Sequence, residues 1–247
     1  MKTYIITLDK NFKDTDRYKQ LISVGLNPEI CKGVIPTGKQ LSEHKFMPKS
    51  CLGCYLAHKN VWELIKSNKD DRALILEDDV TPLFTDFNSI NLPKGEIIKL
   101  HSDVWDIGSN AAYIMSKSSA TKILSNYTRV FGHVDVDMYL NAIVNKVKIT
   151  IVESNYFKTD EVDSNNRCNM KDSIIINILN RSIILPRGEK TMGMLQRYPI
   201  IRIYNVDLTG IQFLTLSLLP FLLCKSFKNK NYLIAVIIII VITHPLF

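Results

Sequence analysis

Three consecutive carboxylates, Glu77, Asp78 and Asp79, directly follow the apolar run Ala73–Leu76. Adjacent carboxylates repel one another and lose hydration when they are partly buried, unless they share a cation. A hard divalent ion with oxygen ligands is the simplest remedy. Because alternate residues of an extended segment point the same way, we expect Glu77 and Asp79 to converge on the ion while Asp78 turns aside. The alternative is a solvated acidic turn without metal.

The elements around this triplet indicate an α/β protein. The apolar run is typical of a strand covered on both faces in a parallel sheet. It follows a segment, Leu52–Asn68, with the 3.6-residue period of an amphipathic helix. Segment 35–50 is rich in turn formers and predicts a long polar loop. Further strands are predicted at Tyr4–Leu8, Cys31–Ile35, Glu96–Leu100, Ala111–Met115 and Val147–Val152, and further helices at Asp14–Val24, Val136–Asn145 and, capped by Ser116, up to Asn126.

Five cysteines with irregular spacing indicate reduced thiols. Cys51 and Cys54 have the spacing of a redox or zinc pair, but no second pair follows at zinc-finger distance. We therefore expect both to be core cysteines.

Five sequence blocks, taken in order, resemble glycosyltransferase family 25, which includes bacterial lipopolysaccharide galactosyltransferases and collagen galactosyltransferases. The likeness covers roughly residues 3 to 155. The blocks are YIITLDK (4–10), GCYLAHKNVWELI (53–65), LILEDDV (74–80), GSNAAYIMSKSSATKIL (108–124) and HVDVDMYL (133–140).

This resemblance implies a GT-A-like fold, with a mostly parallel central sheet flanked by helices. It implies that the triplet is the metal-binding counterpart of an Asp-x-Asp motif. In that role Glu77 and Asp79 would hold Mn²⁺ or another divalent cation against the two phosphates of a UDP-sugar, and Asp78 would touch the donor's ribose or sugar. The implied reaction moves a hexose, with galactose expected from UDP-galactose, to a glycan or glycolipid in polysaccharide or lipopolysaccharide biosynthesis.

Other donor-binding residues follow from the same resemblance. Thr7, Leu8 and Asp9 match the family's strand-end segment near the nucleotide. Arg17 matches a following arginine, although a surface helix residue is an equal alternative. His58 matches the family's histidine, and its place at the margin of the buried helix face favours a hydrogen-bonded core histidine over a catalytic one.

The family's β-galactosyl activities imply inversion, which needs a carboxylate to take the proton of the acceptor hydroxyl. Asp135 and Asp137 are the two candidates, and the resemblance does not choose between them. The other would cap the helix that follows. Asp103 and Asp106 are weaker candidates, with a solvated loop as the alternative.

The last quarter of the chain differs in composition. Residues 181–247 hold eight basic and two acidic residues, which is nearly all of the net charge of +7. Two apolar runs, Ile211–Cys224 and Tyr232–Phe247, flank a basic loop. This combination favours an anionic membrane surface over nucleic acid. We predict a glycosyltransferase domain at 1–196 and a hydrophobic C-terminal tail at 197–247 that associates with membranes; the alternative is a buried hairpin.

The first ten residues contain no apolar run of signal-peptide length. We therefore expect a membrane-associated protein whose catalytic domain lies on the cytoplasmic side.

Two other functions use the same residues. A metal-dependent nucleotidyltransferase or phosphohydrolase would use the carboxylates but needs further ligands. A degenerate member would bind a sugar nucleotide or glycan without turnover. This alternative is kept open by departures from the family pattern, such as Lys10 in place of an arginine and His133 in place of a proline.

Overall fold

The computed structural model describes residues 1–101, 109–126, 134–159, 199–203, 206–210, 212–214 and 216–217. The chain forms two compact units. The first comprises Met1–Thr37 and Ser50–Ser164, and the second comprises Gly38–Lys49 and Asn165–Phe247. The predicted domain limit at residue 196 stays a prediction.

A six-stranded mixed sheet is the centre of the first unit. The strands of this unit are β1 (Lys2–Thr7), β2 (Pro28–Lys32), β3 (Arg72–Glu77), β4 (Val80–Pro82), β5 (Ile97–Lys99), β6 (Ala112–Ser116), β7 (Ile149–Ile151) and β8 (Phe157–Thr159). The order in the central sheet is β2-β1-β3-β6-β5-β7, and β4 pairs with β8 in a separate ribbon. Strand β1 is parallel to β2 and β3, and β5 is parallel to β7, whereas β6 runs antiparallel to β3 and β5.

The α/β class is therefore confirmed, with one reversed strand in the middle of the sheet. The apolar residues of β3 are fully buried, as predicted, but one neighbour of this strand is antiparallel. Burial on both faces gives the same apolar run whichever way a neighbouring strand points. The direction of β6 could not be read from that pattern.

The predicted helices of the first unit are present within a few residues. They are α1 (Asp16–Ser23), α3 (Lys49–Ser67), α4 (Lys117–Ser125) and α5 (Val134–Val144), while α2 (Gly38–Glu43) belongs to the second unit. The prediction of a loop over 35–50 was wrong, because α2 and the first residues of α3 lie there. Ser116 caps α4 as expected, since its side chain accepts a hydrogen bond from the backbone of Ser119.

Helix α3 buries the face that the apolar period predicts, with one exception. Val61 and Ile65 are buried, but Leu64 is 41% exposed, and Trp62 is fully buried. The helix approaches the segment after β2 very closely at Gly53. A Cβ atom there would lie 2.5 Å from the carbonyl oxygen of Val34, so only glycine permits this packing.

The second unit contains α2 and an antiparallel hairpin of β9 (Pro199–Ile203) and β10 (Val206–Thr209). Hydrogen bonds join its separate pieces: Arg202 N donates to Phe46 O, and Lys49 N donates to the Asp207 carboxylate. Within the described part of the chain, no helix is both long enough and apolar enough to cross a bilayer. Most of the predicted tail, including the run 232–247, lies outside the described residues, so membrane association stays a prediction.

Candidate metal and donor site

The triplet lies at the carboxyl end of β3, beside the end of β1. Strand β3 ends at Glu77 and β4 begins at Val80, so Asp78 and Asp79 form the turn between them. The parallel register places Ile6 of β1 opposite Glu77, which brings the next residue, Thr7, next to Asp78. Side chains offered at the end of parallel strands are the usual means of ligand binding in open α/β sheets.

Asp78 is held by two residues that the resemblance places near the donor. Thr7 Oγ1 donates to Asp78 Oδ2 at 2.6 Å, and Arg17 Nη1 donates to the Asp78 carbonyl oxygen at 2.7 Å. The Asp9 amide donates to Thr7 Oγ1 at 3.0 Å. Burial raises the pKa of Asp78, and the Thr7 hydrogen bond opposes that rise. The exposed Leu8 is next to this group in the chain, so the predicted donor-binding residues gather at one strand end.

Asp79 does not receive hydrogen bonds of this kind from Thr7 or Arg17. Its Oδ1 atom is buried and has no hydrogen-bond partner among the described residues. Burial, followed by repulsion from Glu77 and Asp78, raises the pKa of Asp79 to about 7. A buried carboxylate oxygen without a donor is costly in a folded protein. A divalent cation would supply the missing partner and offset the repulsion, so the residues present fit the metal that the sequence predicts.

Glu77 is oriented from inside the protein by a chain of hydrogen bonds. Its Oε1 atom lies 2.9 Å from His58 Nε2, and His58 Nδ1 lies 2.9 Å from the Tyr113 hydroxyl. Trp62 Nε1 donates to the same hydroxyl at 2.7 Å. His58 is thus a hydrogen-bonded core histidine, as expected, and the group that it contacts is the first carboxylate of the triplet.

The donor and acceptor roles in this row of hydrogen bonds follow from Trp62 at its inner end. An indole N–H can only donate, so the Tyr113 oxygen accepts from Trp62 and its own proton is directed to His58 Nδ1. His58 then carries its proton on Nε2 and donates to Glu77. Burial raises the pKa of Tyr113 well above its ordinary value, so the hydroxyl keeps the proton that it donates.

Cys54 also faces Glu77. Its Sγ atom lies 3.9 Å from Glu77 Oε1, and Cys54, His58 and Glu77 offer ligand atoms that all lie within 4.8 Å of one another. Cys51 is a buried core cysteine as predicted, whereas Cys54 is half-buried at the site. The helical period places Cys54 on the buried face but does not show that this part of the face meets a carboxylate.

Lys99 is a residue of the site that the sequence interpretation missed. It ends β5, is fully buried, donates from Nζ to the side-chain oxygen of Asn110, and lies 5.2 Å from the centre of the Tyr113 ring. Burial lowers the pKa of Lys99 to about 7, against the opposing effect of the carboxylates of Asp135 and Glu77. The signal was a lysine inside the apolar segment EIIKL, where an unpaired charge would not be stable.

The two candidate bases lie inside the first turn of α5. Asp135 is 8% exposed and accepts a hydrogen bond from the Asn110 backbone N–H, whereas Asp137 is fully buried. Tyr55, whose pKa is raised to about 12 mainly by burial, is also affected by the charge of Asp137. Because α5 begins at Val134, neither aspartate occupies the capping position that one of them was expected to take. The weaker candidates at 103 and 106 lie outside the described residues.

The comparison with protein families gives a direct match at this site. Residues 19–90 match glycosyltransferase family 25, described as an LPS biosynthesis protein family. The matched segment includes His58 and the acidic triplet, and it confirms the resemblance drawn from the sequence blocks. Over this segment the chain is similar to a family of glycosyltransferases. Thr7, Arg17, Asp135 and Asp137 lie outside the match, and the match assigns no role to any residue, so the roles of all the predicted site residues stay predictions.

Solved structures show only distant likeness, and no curated protein sequence matches the chain significantly. A Drosophila β1,4-galactosyltransferase 7 mutant with manganese, UDP-Gal and xylobiose is 10% identical, with 72% of this chain and 78% of that chain covered and a TM-score of 0.41. GlyE of Streptococcus pneumoniae TIGR4 is 12% identical, with 62% of this chain and 45% of that chain covered and a TM-score of 0.36. The galactosyltransferase LgtC with donor and acceptor analogues is 9% identical over 62% and 73%, with a TM-score of 0.32. These likenesses are too distant to define the fold type or the activity.

Proposed function

We propose that this protein is a metal-dependent inverting glycosyltransferase that moves a hexose, galactose from UDP-galactose, to a glycan or glycolipid acceptor. The family match supports the glycosyl transfer. The observation that supports the metal is the buried Oδ1 atom of Asp79, which no described protein donor contacts. Burial, followed by repulsion from two neighbouring carboxylates, raises the pKa of the same residue, as expected of a group completed by a cation.

Glu77 and Asp79 would hold the cation, with Mn²⁺ as the expected ion. A bound divalent ion neutralises charge on the departing diphosphate. Glu77 contributes a carboxylate whose Oε1 atom is already fixed by His58, and its side chain is 26% exposed. A ligand that is oriented by a second hydrogen-bonded residue binds metal more tightly than a free one.

Asp78 would contact the ribose or sugar of the donor, with Thr7 and Arg17 as positioning residues. Thr7 occupies one oxygen of the carboxylate, and Arg17 holds the backbone of the turn. These contacts fix the orientation of Asp78 before the donor arrives. A pre-oriented polar group loses less entropy on binding than a mobile one.

Asp135 is the better candidate for the catalytic base. It lies near enough to Lys99 and Tyr113 for its charge to act on both, and Glu77 acts on the same two residues. Asp137 is fully buried. A base must come within hydrogen-bond distance of the acceptor hydroxyl, directly or through one water. Asp135 therefore requires the smaller rearrangement.

Calorimetric titration of UDP into the full chain, with and without Mn²⁺, tests this proposal. We expect binding that requires the metal and that weakens at least about 50-fold in Asp79→Asn, because about 2 to 3 kcal/mol of charge-assisted interaction is lost. Asp16→Asn, an exposed change in α1, is the matched control and should bind as the wild type. Folded protein that binds UDP equally well without Mn²⁺, or an Asp79→Asn variant with wild-type affinity, would overturn the metal role.

A further inference from the structure

A sulfur, a nitrogen and an oxygen ligand meet beside the acidic triplet. Cys54 and His58 are four residues apart on α3 and therefore lie on the same face of that helix. Glu77 meets them from the end of β3. The three ligand atoms lie within 4.8 Å of one another.

The distances are close to those around a tetrahedral zinc ion. Zinc bonds of about 2.0 to 2.3 Å separate neighbouring ligand atoms by about 3.3 to 3.7 Å. The observed separations are 2.9 Å from His58 Nε2 to Glu77 Oε1 and 3.9 Å from Cys54 Sγ to the same oxygen. The third separation, from Cys54 Sγ to the His58 nitrogen, is at most 4.8 Å, so side-chain shifts of about 1 Å or less would accommodate the ion.

The types of ligand atom also distinguish this cluster of Cys54, His58 and Glu77 from the carboxylate pair of Glu77 and Asp79. Thiolate and imidazole ligands favour zinc, whereas carboxylates alone favour harder ions such as Mn²⁺ or Mg²⁺. His58 already has its other ring nitrogen on the Tyr113 hydroxyl, the outer contact that metal-binding histidines usually have. When Nε2 binds an ion, the neutral imidazole carries its proton on Nδ1. The Tyr113 hydroxyl then turns its own proton away and accepts a hydrogen bond from Nδ1–H with its second lone pair.

We propose that Cys54, His58 and Glu77 form a second cation site that takes Zn²⁺. The Cys54 thiol loses its proton to solvent on binding, and the fourth position of the ion is open to water, as Cys54 and Glu77 are both partly exposed. The protein thus offers two neighbouring sites of different chemical hardness that share Glu77.

A shared ligand makes the two sites antagonistic. Zn²⁺ draws Glu77 toward α3 and away from Asp79, so it weakens the binding of Mn²⁺. This consequence rests on the proposed function, whereas the zinc site does not. A soft metal would therefore inhibit the transferase without occupying the donor-metal position.

Zinc binding is measured on the full chain with Zn²⁺ and a chromophoric chelator, and cysteine ligation with Co²⁺ in its place. We expect one zinc per chain, a thiolate-to-cobalt charge-transfer absorption, and at least a tenfold loss of zinc affinity in Cys54→Ser with loss of that absorption. Cys31→Ala, at a half-buried cysteine of β2, is the matched control and should keep both. Circular dichroism of each metal-free variant shows that it is folded.

Two results would overturn the site: unchanged zinc affinity in folded Cys54→Ser, or cobalt binding without the charge-transfer absorption. Competition is followed by the electron paramagnetic resonance of Mn²⁺. Release of bound Mn²⁺ by one equivalent of Zn²⁺ supports the shared ligand, and independent binding of both ions refutes it. If Mn²⁺ does not bind at all, the proposed function fails, while the cobalt spectrum still tests the zinc site.

Discussion

The carboxylates at the end of β3 and those at the start of α5 belong to the same unit, but the protein treats them in different ways. Asp135 accepts a backbone N–H and lies near the Lys99 ammonium, so the folded chain itself supplies its partners. Asp79 has a buried oxygen without a partner among the described residues, and its neighbours repel it. The first kind of carboxylate stabilises the fold, whereas the second costs stability unless the proposed cation binds there.

Removal of Asp135 should have the largest effect on stability. Asp135→Ala leaves the Asn110 N–H without its acceptor and Lys99 with only the weaker effect of Glu77 as opposite charge, so we expect the free energy of unfolding to fall by about 3 kcal/mol. Urea denaturation measures the change. Asp16→Ala, on the exposed face of α1, should cost under about 0.5 kcal/mol.

A second background sharpens this result. In a Lys99→Met chain, Asp135→Ala should lower the free energy of unfolding by clearly less, because there is no buried Lys99 charge that loses its opposite charge. Equal losses in the two backgrounds would show that Lys99 and Asp135 do not interact.

Replacement of Asp79 should raise the free energy of unfolding rather than lower it. Burial and repulsion from Glu77 and Asp78 raise the pKa of Asp79 from the ordinary 3.8 to about 7, so the folded chain holds this proton more tightly than the unfolded chain. Protonation of Asp79 therefore stabilises the folded chain fully below pH 4, and this stabilisation is lost as the pH rises through 7. In EDTA at pH 8, Asp79→Asn should therefore raise the free energy of unfolding by about 2 kcal/mol, and by less toward pH 4.

Thermal unfolding between pH 4 and pH 8 measures this difference. Mn²⁺ should stabilise the wild type and leave Asp79→Asn nearly unchanged, because the mutant lacks one ligand. A wild type that is as stable as Asp79→Asn throughout this range in EDTA would contradict the inference that the buried Asp79 Oδ1 atom without a donor destabilises the fold.

The smallest effect is expected where the triplet is already satisfied. Thr7→Val removes the hydroxyl that donates to Asp78 and accepts from the Asp9 amide, at a cost of about 1 kcal/mol. Thr3→Val on the same strand is the control. If the two valine variants unfold at the same temperature, the bond between Thr7 and Asp78 contributes nothing to stability.

The sequence predicts well the parts of this protein that depend on local pattern. The period of α3, the apolar run of β3 and the Ser116 cap are each read from a few neighbouring residues, and each is present. The reversal of β6 and the helix α2 were missed, because a strand's direction and a helix of six residues leave little trace in composition.

The same contrast holds within the candidate site. The triplet was visible because three carboxylates in a row are chemically conspicuous, and the resemblance added Thr7 and Arg17 from a strand and a helix more than 60 residues away. The environment of Glu77 was not visible, since Cys54 and His58 reach it from α3 and Tyr113 holds His58 from β6. The role of Lys99 depends on carboxylates that lie far from it in the chain, and only the fold brings them together.

Trp62 stands at the far end of the hydrogen-bond chain that leads through Tyr113 and His58 to Glu77. The chain has only one other tryptophan. An ion that binds Glu77 would change the hydrogen bonding and the polarity around the fully buried indole ring of Trp62. We therefore expect the fluorescence emission of Trp62 to report occupancy of the proposed metal site without a dye or a label.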